Sequence, residues 1–571
     1  MHRQFSIYCT RCTTIVYVQT CRCYFSLILP IPATVHERAV LIDRDQCLAI
    51  DALFAPWDRP GAPGVVFGVF AEGALVHSGS FGAANLEHGI PMGPDTVFHI
   101  ASLSKQFTAV IAAMVTADQG ISLDSDLRRF LPELPPGPPI SFRHAIHHTS
   151  GLREQWDLLR LAGWRDADLK TTDDVLSVVT RQRASNFAPG TRFQYINTAY
   201  TLVAVALERI TGERFRALAE RLIFAPLGMR DTFFLDDQTE VIPRRAQAYA
   251  LREDGAPRVC VPRFETMGPS NLQSSLRDLA KWEANLVRPL VGDAALIASF
   301  TEPARFAEGA ATEYGYGLIL GHHGVHRTVE HAGGDAAFRA YYLRVPAERF
   351  AVIVLANFLE VSPSHLVRAI VDRCLPQPSG EAARSSTAPL DLKLHHVDRL
   401  SGLYRHDASG VTCRVEPRGG RLHLASSGAD YELVSQPDGN FKFRDMDIDV
   451  TFTLPETGPA TAVRVHLAGN TINICTRLEA DAATDAPPLD AYEGRFRSDE
   501  LDATYSLTRR GDMLVARGPR GLAIRLRRVH EDGFAAMDTT IDVQFQRGED
   551  GTVPGFLLSS ERAWNIAFIR I

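Results

Sequence analysis

Runs rich in β-branched and aromatic residues stand near both ends of the first two thirds of the chain. Gly64 to Phe70 and Ala74 to Ser80 are joined by a three-residue turn, and Ala337 to Val345 is followed in the same way by Phe350 to Phe358. Each pair predicts a β-hairpin. Between the pairs, apolar residues recur at helical spacing. The pattern predicts an α+β domain over residues 41–375, with one antiparallel sheet built from both ends, flanked by helices and carrying a helical insertion.

The character of the chain changes after residues 376–395, a segment rich in Pro, Ser and Ala that is typical of a linker. Beyond it, short alternating strands and glycine turns dominate. Leu400 to Arg405 resembles Tyr492 to Arg497, and Asp438-Gly439 is echoed by Asp532-Gly533 at nearly the same offset. We therefore predict two copies of one small antiparallel β-barrel, over residues 396–480 and 490–571.

The first 40 residues look different from the rest. They hold no acidic residue before Glu37 and contain a cluster of cysteines at Cys9, Cys12, Cys21 and Cys23. A four-cysteine zinc site and a targeting sequence are both alternatives, but there is little room for a supporting fold and the apolar run is short. We interpret the segment as a disordered or non-native extension without a clear signal peptide.

Bulk composition limits the partners. The chain of 571 residues has a net charge of −7 and 45% hydrophobic residues, with no long basic run and no apolar stretch of membrane-spanning length. These features predict a soluble protein, of bacterial cytoplasm or periplasm, with a small-molecule or short-peptide substrate and no nucleic-acid or membrane partner. A homo-oligomer stays open.

The first candidate for chemistry is the motif Ser102-Leu103-Ser104-Lys105. Residues three apart share a helix face, so the Lys105 amine can reach the Ser102 hydroxyl and, if deprotonated, activate it as a nucleophile. Arginine could not take this role because it stays protonated. Only five of the 60 basic residues are lysine, but the motif alone is a weak signal, and its companions must decide.

Two further motifs accompany it. Tyr195 and Asn197 lie in one loop: a phenol beside an ammonium can titrate low enough to relay a proton, and the Asn197 amide can hold a substrate carbonyl or orient Lys105. His331, followed by Ala332, Gly333 and Gly334, lies on a predicted strand.

Each member of the strand motif has an expected role. His331 supplies a polar or cationic group at the pocket wall. The small residues after it let a substrate lie along the strand edge. The N–H groups of Ser102 and Gly334 form a two-donor oxyanion hole.

In this order and separation, the three motifs resemble those of the serine β-lactamase and penicillin-recognising superfamily. The branch that uses Ser-x-x-Lys, Tyr-x-Asn and His-x-Gly contains class C β-lactamases, DD-peptidases and D-aminopeptidases. The resemblance implies a β-lactamase/transpeptidase-like fold, catalysis by Ser102, Lys105 and Tyr195, and substrate binding by Asn197, His331 and Gly333. It implies no metal and no organic cofactor.

The two barrels sharpen the resemblance, because D-aminopeptidases also carry two small lipocalin-like barrels after the catalytic domain. In that family a long loop of the last barrel reaches the active site and helps to select a free N-terminal D-residue. Here the corresponding connection, near Ala535 to Ile541, is short. The expected activity is acyl-enzyme hydrolysis of a small amide or ester, foremost a D-residue-containing peptide.

Other functions stay as alternatives. A carboxylesterase or a β-lactamase would use the same site, and a penicillin-recognising fold can also serve as a non-catalytic binding or sensor module. The clusters at His144, His147 and His148 and at His322, His323 and His326 could in principle bind zinc, but no metallohydrolase signature accompanies them. We expect packing at helix ends and solvated loops as their roles instead. Gly-x-Ser-x-Gly, P-loop and dinucleotide-binding motifs are absent from the sequence.

Overall fold

The computed structural model describes residues 42–375, 394–426, 429–436, 439–444, 448–467, 471–478 and 487–571. The predicted N-terminal extension, with its cysteine cluster, and nearly all of the predicted linker lie outside the described residues. No helix among the described residues is long and apolar enough to cross a membrane.

The first domain is built on a six-stranded antiparallel sheet in the order β10-β11-β12-β13-β1-β2. The strands of the domain are β1 (Val65–Ala71), β2 (Ala74–Phe81), β3 (Ala83–Asn85), β4 (Ile90–Pro91), β5 (Phe98–His99), β6 (Phe233–Phe234), β7 (Ala248–Leu251), β8 (Pro257–Cys260), β9 (Leu272–Ser274), β10 (Ile319–His323), β11 (His326–Asp335), β12 (Phe338–Val345) and β13 (Phe350–Ala356). The first and last strands of the domain pair with each other, Val65 opposite Ala356. Both predicted hairpins and the sheet assembled from both ends of the domain are confirmed.

Helices cover both faces of this sheet. They are α1 (Arg44–Asp51), α2 (Ser104–Asp118), α3 (Phe142–Ile146), α4 (Gln155–Leu161), α5 (Thr172–Val179), α6 (Thr198–Thr211), α7 (Phe215–Ala219), α8 (Ala225–Leu227), α9 (Leu276–Val287), α10 (Ala294–Ser299) and α11 (Pro363–Cys374), and α12 (Leu394–Leu400) follows the linker. One-turn 3-10 helices span Ala52–Trp57, Ala101–Leu103, Leu127–Arg129, Pro346–Glu348, Leu489–Tyr492 and Pro519–Gly521, and a π-helix spans Glu220–Phe224.

Strands β1 and β13 are buried at every position, because helices lie on both of their faces. On one face α1 and α11 pack on the sheet through residues such as Ile50 and Val367. On the other face α2 and α6 form the centre of the larger core, in which Phe107 and Leu202 are fully buried. A near-continuous apolar strand is what a sheet with two covered faces requires.

Two closed antiparallel barrels follow, each of eight sequential strands. The first contains β14 (Gly402–His406), β15 (Thr412–Arg418), β16 (Arg421–Ser426), β17 (Ala429–Ser435), β18 (Phe441–Phe443), β19 (Asp449–Thr453), β20 (Ala462–Leu467) and β21 (Thr471–Arg477). The second contains β22 (Gly494–Ser498), β23 (Ala503–Arg510), β24 (Met513–Arg517), β25 (Ala523–His530), β26 (Gly533–Ala536), β27 (Ile541–Gln546), β28 (Gly555–Ser560) and β29 (Ile566–Arg570). The two predicted small antiparallel barrels are confirmed, and in each of them every strand pairs with its neighbours in sequence. The β26–β27 connection is short, as expected.

The second barrel packs directly on the helices of the catalytic domain. A buried ion pair joins Arg153, just before α4, to Glu500 at 2.7 Å, and Tyr505 donates a hydrogen bond to the carbonyl of Leu161 at the end of α4. The apolar cores of the barrel and the helices are continuous. The second barrel therefore contacts α4, the helix that lies beside the candidate active site.

Candidate active site

The candidate nucleophile lies in the tight turn before α2. Ser102 occupies the 3-10 helix Ala101–Leu103, and the regular helix α2 begins only at Ser104 and runs to Asp118. Ala101 has a positive φ of 50°, a conformation that costs a non-glycine residue energy. Its N–H donates to His99 Nδ1 and its carbonyl accepts from Ser104 Oγ. These two bonds hold the strained turn that presents Ser102.

The amine of Lys105 lies 3.1 Å from the Ser102 hydroxyl oxygen. It also lies 2.9 Å from Asn197 Oδ1 and 2.9 Å from the carbonyl of Pro269. The last two atoms are acceptors only, whereas the hydroxyl can donate. A neutral amine, with two N–H donors and one lone pair, satisfies this set: it donates to Asn197 and Pro269 and accepts the Ser102 proton. The geometry therefore fits a lysine that acts as a base.

Electrostatics favour the same protonation state. Lys105 is completely buried, and this burial holds the pKa of its amine well below the ordinary value. The positive charge of Arg562 lowers the Lys105 pKa further, while the negative charge of Glu154 raises it. The amine also lies 4.7 Å from the centre of the Tyr195 ring.

Asn197 is oriented by a residue that the sequence did not indicate. Its backbone N–H donates to Glu154 Oε2 at 2.5 Å, and its side-chain Nδ2 donates to Glu154 Oε1 at 2.9 Å. The backbone N–H and the side-chain NH2 of Asn197 are thus both directed at one buried carboxylate, and Oδ1 is turned toward Lys105. The expectation that Asn197 orients Lys105 agrees with this contact.

The expected low pKa of Tyr195 is wrong for this site. Burial raises the pKa of its phenol well above the ordinary value; the hydrogen bond with Ser102 and the charge of Arg562 only partly oppose it. Desolvation penalises a phenolate more than the neighbouring positive charge stabilises it, since Lys105 is itself driven toward the neutral form. Tyr195 is therefore a proton donor in the resting site and not a ready base.

His331 is a neutral member of the wall, and the cationic alternative for it is wrong. Burial, assisted by Lys105, lowers the pKa of His331 to about 3. Its Nδ1 lies 2.6 Å from the Ala332 carbonyl and can only donate there, so Nε2 accepts from the Tyr314 hydroxyl at 3.0 Å. Tyr314 stands 17 residues before His331 and fixes the orientation of its ring.

The strand that carries His331 passes close to the nucleophile. A Cβ atom on Gly333 would lie 2.4 Å from the carbonyl oxygen of Ile100, so this position requires glycine. A Cβ on Gly334 would meet only the Arg339 guanidinium, at 3.4 Å. The ladder between β10 and β11 ends at Ile319 and Glu330, so the strand from His331 to its end has no β10 residue opposite it. This leaves an open edge beside Ser102.

Sequence reasoning missed three residues that shape the site, Glu154, Tyr314 and Arg562. It named His148 but did not predict its contact with the Tyr195 loop. The His148 ring lies 4.4 Å from that of Tyr195 and 4.7 Å from that of Tyr314. Its Nδ1 accepts from the N–H of Ile196, which ties the helix-end histidine to the Tyr195 loop. The histidine cluster was the available signal, although it had suggested only packing or a metal.

Arg562 comes from the β28–β29 turn of the second barrel. Its Nη1 donates to the Tyr195 carbonyl at 3.3 Å and lies 4.0 Å from Glu154 Oε2. The backbone of the same turn accepts from the Glu154 N–H, and its N–H donates to Asp157. In the described part of the chain no group of three or more His, Cys, Asp or Glu side chains could hold a metal ion.

Comparison with known proteins agrees with this architecture. The family model described as beta-lactamase matches residues 50–375. A D-aminopeptidase of Gluconobacter oxydans is 27% identical over 461 residues, which cover 80% of this chain and 82% of that protein. A D-aminopeptidase of Brucella canis is 27% identical over 455 residues, 79% of this chain and 82% of that protein.

Solved structures show the same fold. An octameric penicillin-binding protein homologue from Pyrococcus abyssi is 22% identical and covers 76% of this chain and 99% of its own, with a TM-score of 0.53. Since the beta-lactamase model matches more than half of the chain and its motifs meet in one buried site, this protein belongs to the beta-lactamase family.

Proposed function

We propose that this protein is a serine hydrolase that cleaves small amides of D-residues through an acyl-enzyme on Ser102. The observation that carries the proposal is the contact of the Ser102 hydroxyl with a buried amine, Lys105, whose pKa is held low and whose other two partners are acceptors. The extended similarity to two D-aminopeptidases, including the barrel region, supports D-residue amides as the substrate class.

The proposed reaction begins when Ser102 Oγ attacks the substrate carbonyl and Lys105 takes its proton. The N–H groups of Ser102 and Gly334 stabilise the oxyanion. The protonated phenol of Tyr195 then donates a proton to the leaving amine and regains one from the Lys105 ammonium. Water, activated by the same pair in reverse, hydrolyses the ester of Ser102 and releases the acid. Asn197 and His331 hold the substrate and the base in place.

Parallel rates and labelling test the proposal. Purified enzyme is assayed with D-alanyl p-nitroanilide, a D-alanyl dipeptide, p-nitrophenyl acetate and a chromogenic cephalosporin, and is then treated with a fluorophosphonate. We expect turnover of the D-aminoacyl anilide foremost and one covalent adduct at Ser102. Ser102→Ala should lose at least about three orders of magnitude in turnover together with the adduct.

Ser122→Ala is the matched control, since Ser122 is an exposed serine outside the site. It should behave like the wild-type enzyme. Full activity in Ser102→Ala contradicts the assignment of the nucleophile. A wild-type enzyme that forms no adduct and turns over none of the substrates indicates a binding module instead.

A further inference from the structure

Asp335 occupies the end of β11, one residue beyond Gly334. It stands opposite Phe338 across a tight hairpin whose first turn residue, Ala336, has a positive φ of 49°. The β10 strand does not extend this far, and Gly334 and Ala336 are exposed. A carbonyl held at the Gly334 N–H therefore brings the substituents of the adjoining α-carbon to the vicinity of the Asp335 side chain.

The Asp335 carboxylate is largely buried, and the Ala336 N–H and the charges of Arg339 and Lys170 compensate this burial only in part. About a quarter of the side chain is exposed, but Oδ2 is inaccessible to solvent and has no hydrogen-bond partner among the described residues. The two cations whose charges act on Asp335 form hydrogen bonds with other groups. Lys170 donates to the carbonyls of Arg165 and Asp168, and Arg339 donates to the carbonyl of Phe338. A buried, unpaired carboxylate is costly unless a ligand compensates it.

A buried histidine, His99, faces Oδ2 of Asp335. His99 Nε2 lies 4.0 Å from Oδ2. Because Nδ1 of His99 accepts from the Ala101 N–H, the ring proton is on Nε2. Burial lowers the pKa of His99 to about 3, so the ring does not neutralise the carboxylate. His99 lies between Phe264 and Phe338, with ring centres at 5.8 and 6.0 Å, which excludes water from this side.

Other titratable groups near the nucleophile carry no opposing charge. Burial lowers the pKa values of Lys105 and His331 and raises that of Tyr195, so all three favour their neutral forms. Glu154 is accompanied by Arg562. Along the open edge of β11, Asp335 is therefore the acidic group placed to meet a substrate.

We propose that Asp335 binds the α-ammonium group of the acyl residue and thereby makes a free amino terminus a requirement for good substrates. This inference rests on the proposed function, which it deepens by assigning the group that selects the amine. An ammonium against a carboxylate forms a strong, charge-assisted hydrogen bond. The assignment accounts for amine selection in a chain whose β26–β27 connection is short.

The test compares D-alanyl p-nitroanilide, whose amino group is a free ammonium, with N-acetyl-D-alanyl p-nitroanilide, whose amino group is an uncharged amide. For Asp335→Asn we expect kcat/KM for the free amine to fall about 10- to 100-fold, while kcat/KM for the acetylated substrate changes less than about threefold, the variation ordinary for a neutral substitution. Asp512→Asn removes the same charge from an exposed barrel turn and should keep the wild-type ratio of the two rates.

An inhibitor pair guards against a variant that fails to fold. With wild-type enzyme and p-nitrophenyl acetate as substrate, D-alaninol carries the ammonium and 1,2-propanediol does not. We expect competitive inhibition by D-alaninol at concentrations at least about tenfold lower than by the diol.

The outcomes separate the two proposals. Equal inhibition by the two alcohols, or an unchanged ratio of anilide rates in a folded Asp335→Asn, overturns the role of Asp335 and leaves the serine hydrolase intact. A wild-type enzyme that turns over no substrate and forms no adduct at Ser102 overturns both.

Discussion

Arg562 of the second barrel lies 4.0 Å from Glu154 of the catalytic domain, and Glu154 accepts hydrogen bonds from the backbone N–H and from the side-chain amide of Asn197. Asn197 in turn accepts from Lys105. The charge of Arg562 on the second barrel is thus connected to Lys105, the base of the proposed reaction. The connection runs through the carboxylate of Glu154 and the amide of Asn197. The barrel is part of the wall of the site, and Arg562 is a positioning residue.

Replacing Arg562 should change the pH dependence of the enzyme. Arg562 lowers the pKa of Lys105, and the base acts only when deprotonated. In Arg562→Met the pKa of Lys105 rises, so the ascending limb of kcat/KM against pH moves to higher pH. At neutral pH kcat/KM falls about 5- to 30-fold, the effect of one or two kcal/mol.

Two variants accompany this measurement. Arg562→Lys keeps the charge and should restore most of the profile. Arg525→Met removes an exposed arginine of the same barrel, which pairs with Asp538, and should leave the profile in place. A profile of Arg562→Met that coincides with that of the wild type contradicts the connection.

Lys105→Arg should be as inactive as Lys105→Met. Arginine retains the positive charge but cannot give up its proton at any working pH, so it cannot accept the Ser102 proton. For both variants we expect a loss of about 100-fold or more in kcat with an anilide substrate, and slower labelling by a fluorophosphonate. Substantial activity in Lys105→Arg points to a role for the lysine as a fixed charge instead of a base.

Gly333→Ala and Gly334→Ala should differ sharply although they are neighbours. The new Cβ of Gly333→Ala meets the Ile100 carbonyl at 2.4 Å, so β11 must shift away from the nucleophile turn. We expect a loss of about 1–3 kcal/mol in the free energy of unfolding, measured by denaturant titration, together with lower activity. The Cβ of Gly334→Ala has room, and its stability should stay close to the wild-type value.

Asp335→Asn should stabilise the fold at neutral and alkaline pH. Burial raises the pKa of Asp335 from 3.8 to about 6, partly opposed by the hydrogen bond from the Ala336 backbone and by the charges of Arg339 and Lys170. A carboxyl whose pKa is raised in the folded state lowers the free energy of unfolding as the pH rises from about 4 to about 6. The reason is that the folded protein binds more protons than the unfolded protein in this pH range.

The gain from Asp335→Asn is therefore on the order of 1–3 kcal/mol above pH 7 and disappears near pH 4. Thermal unfolding of both proteins at pH 4 and pH 8 measures it. A gain of equal size at both pH values contradicts the assigned cost of burying this carboxylate.

Much of the catalytic domain follows from the local pattern. The segments that form β1, β2, β12 and β13 are recognisable as apolar runs of strand length joined by short turns. The pairing of both ends of the domain in one sheet was predictable because each hairpin needs a partner strand for its free edge. The barrels were predictable from the repeated segments near Leu400 and Tyr492. The exact start of α2 was not, because the strained turn at Ala101 is fixed by His99 and Ser104.

The sequence by itself determined which residue types could perform acyl transfer, because a serine, a lysine three positions later and the two companion motifs are local signals that can be read from the sequence. Only the tertiary structure decided their protonation and their supports. Burial, a property of the whole fold, lowers the pKa values of Lys105 and His331 and raises that of Tyr195, which favours the neutral form of all three. Glu154 and Arg562 are 408 residues apart in the sequence and meet only because the second barrel packs beside α4.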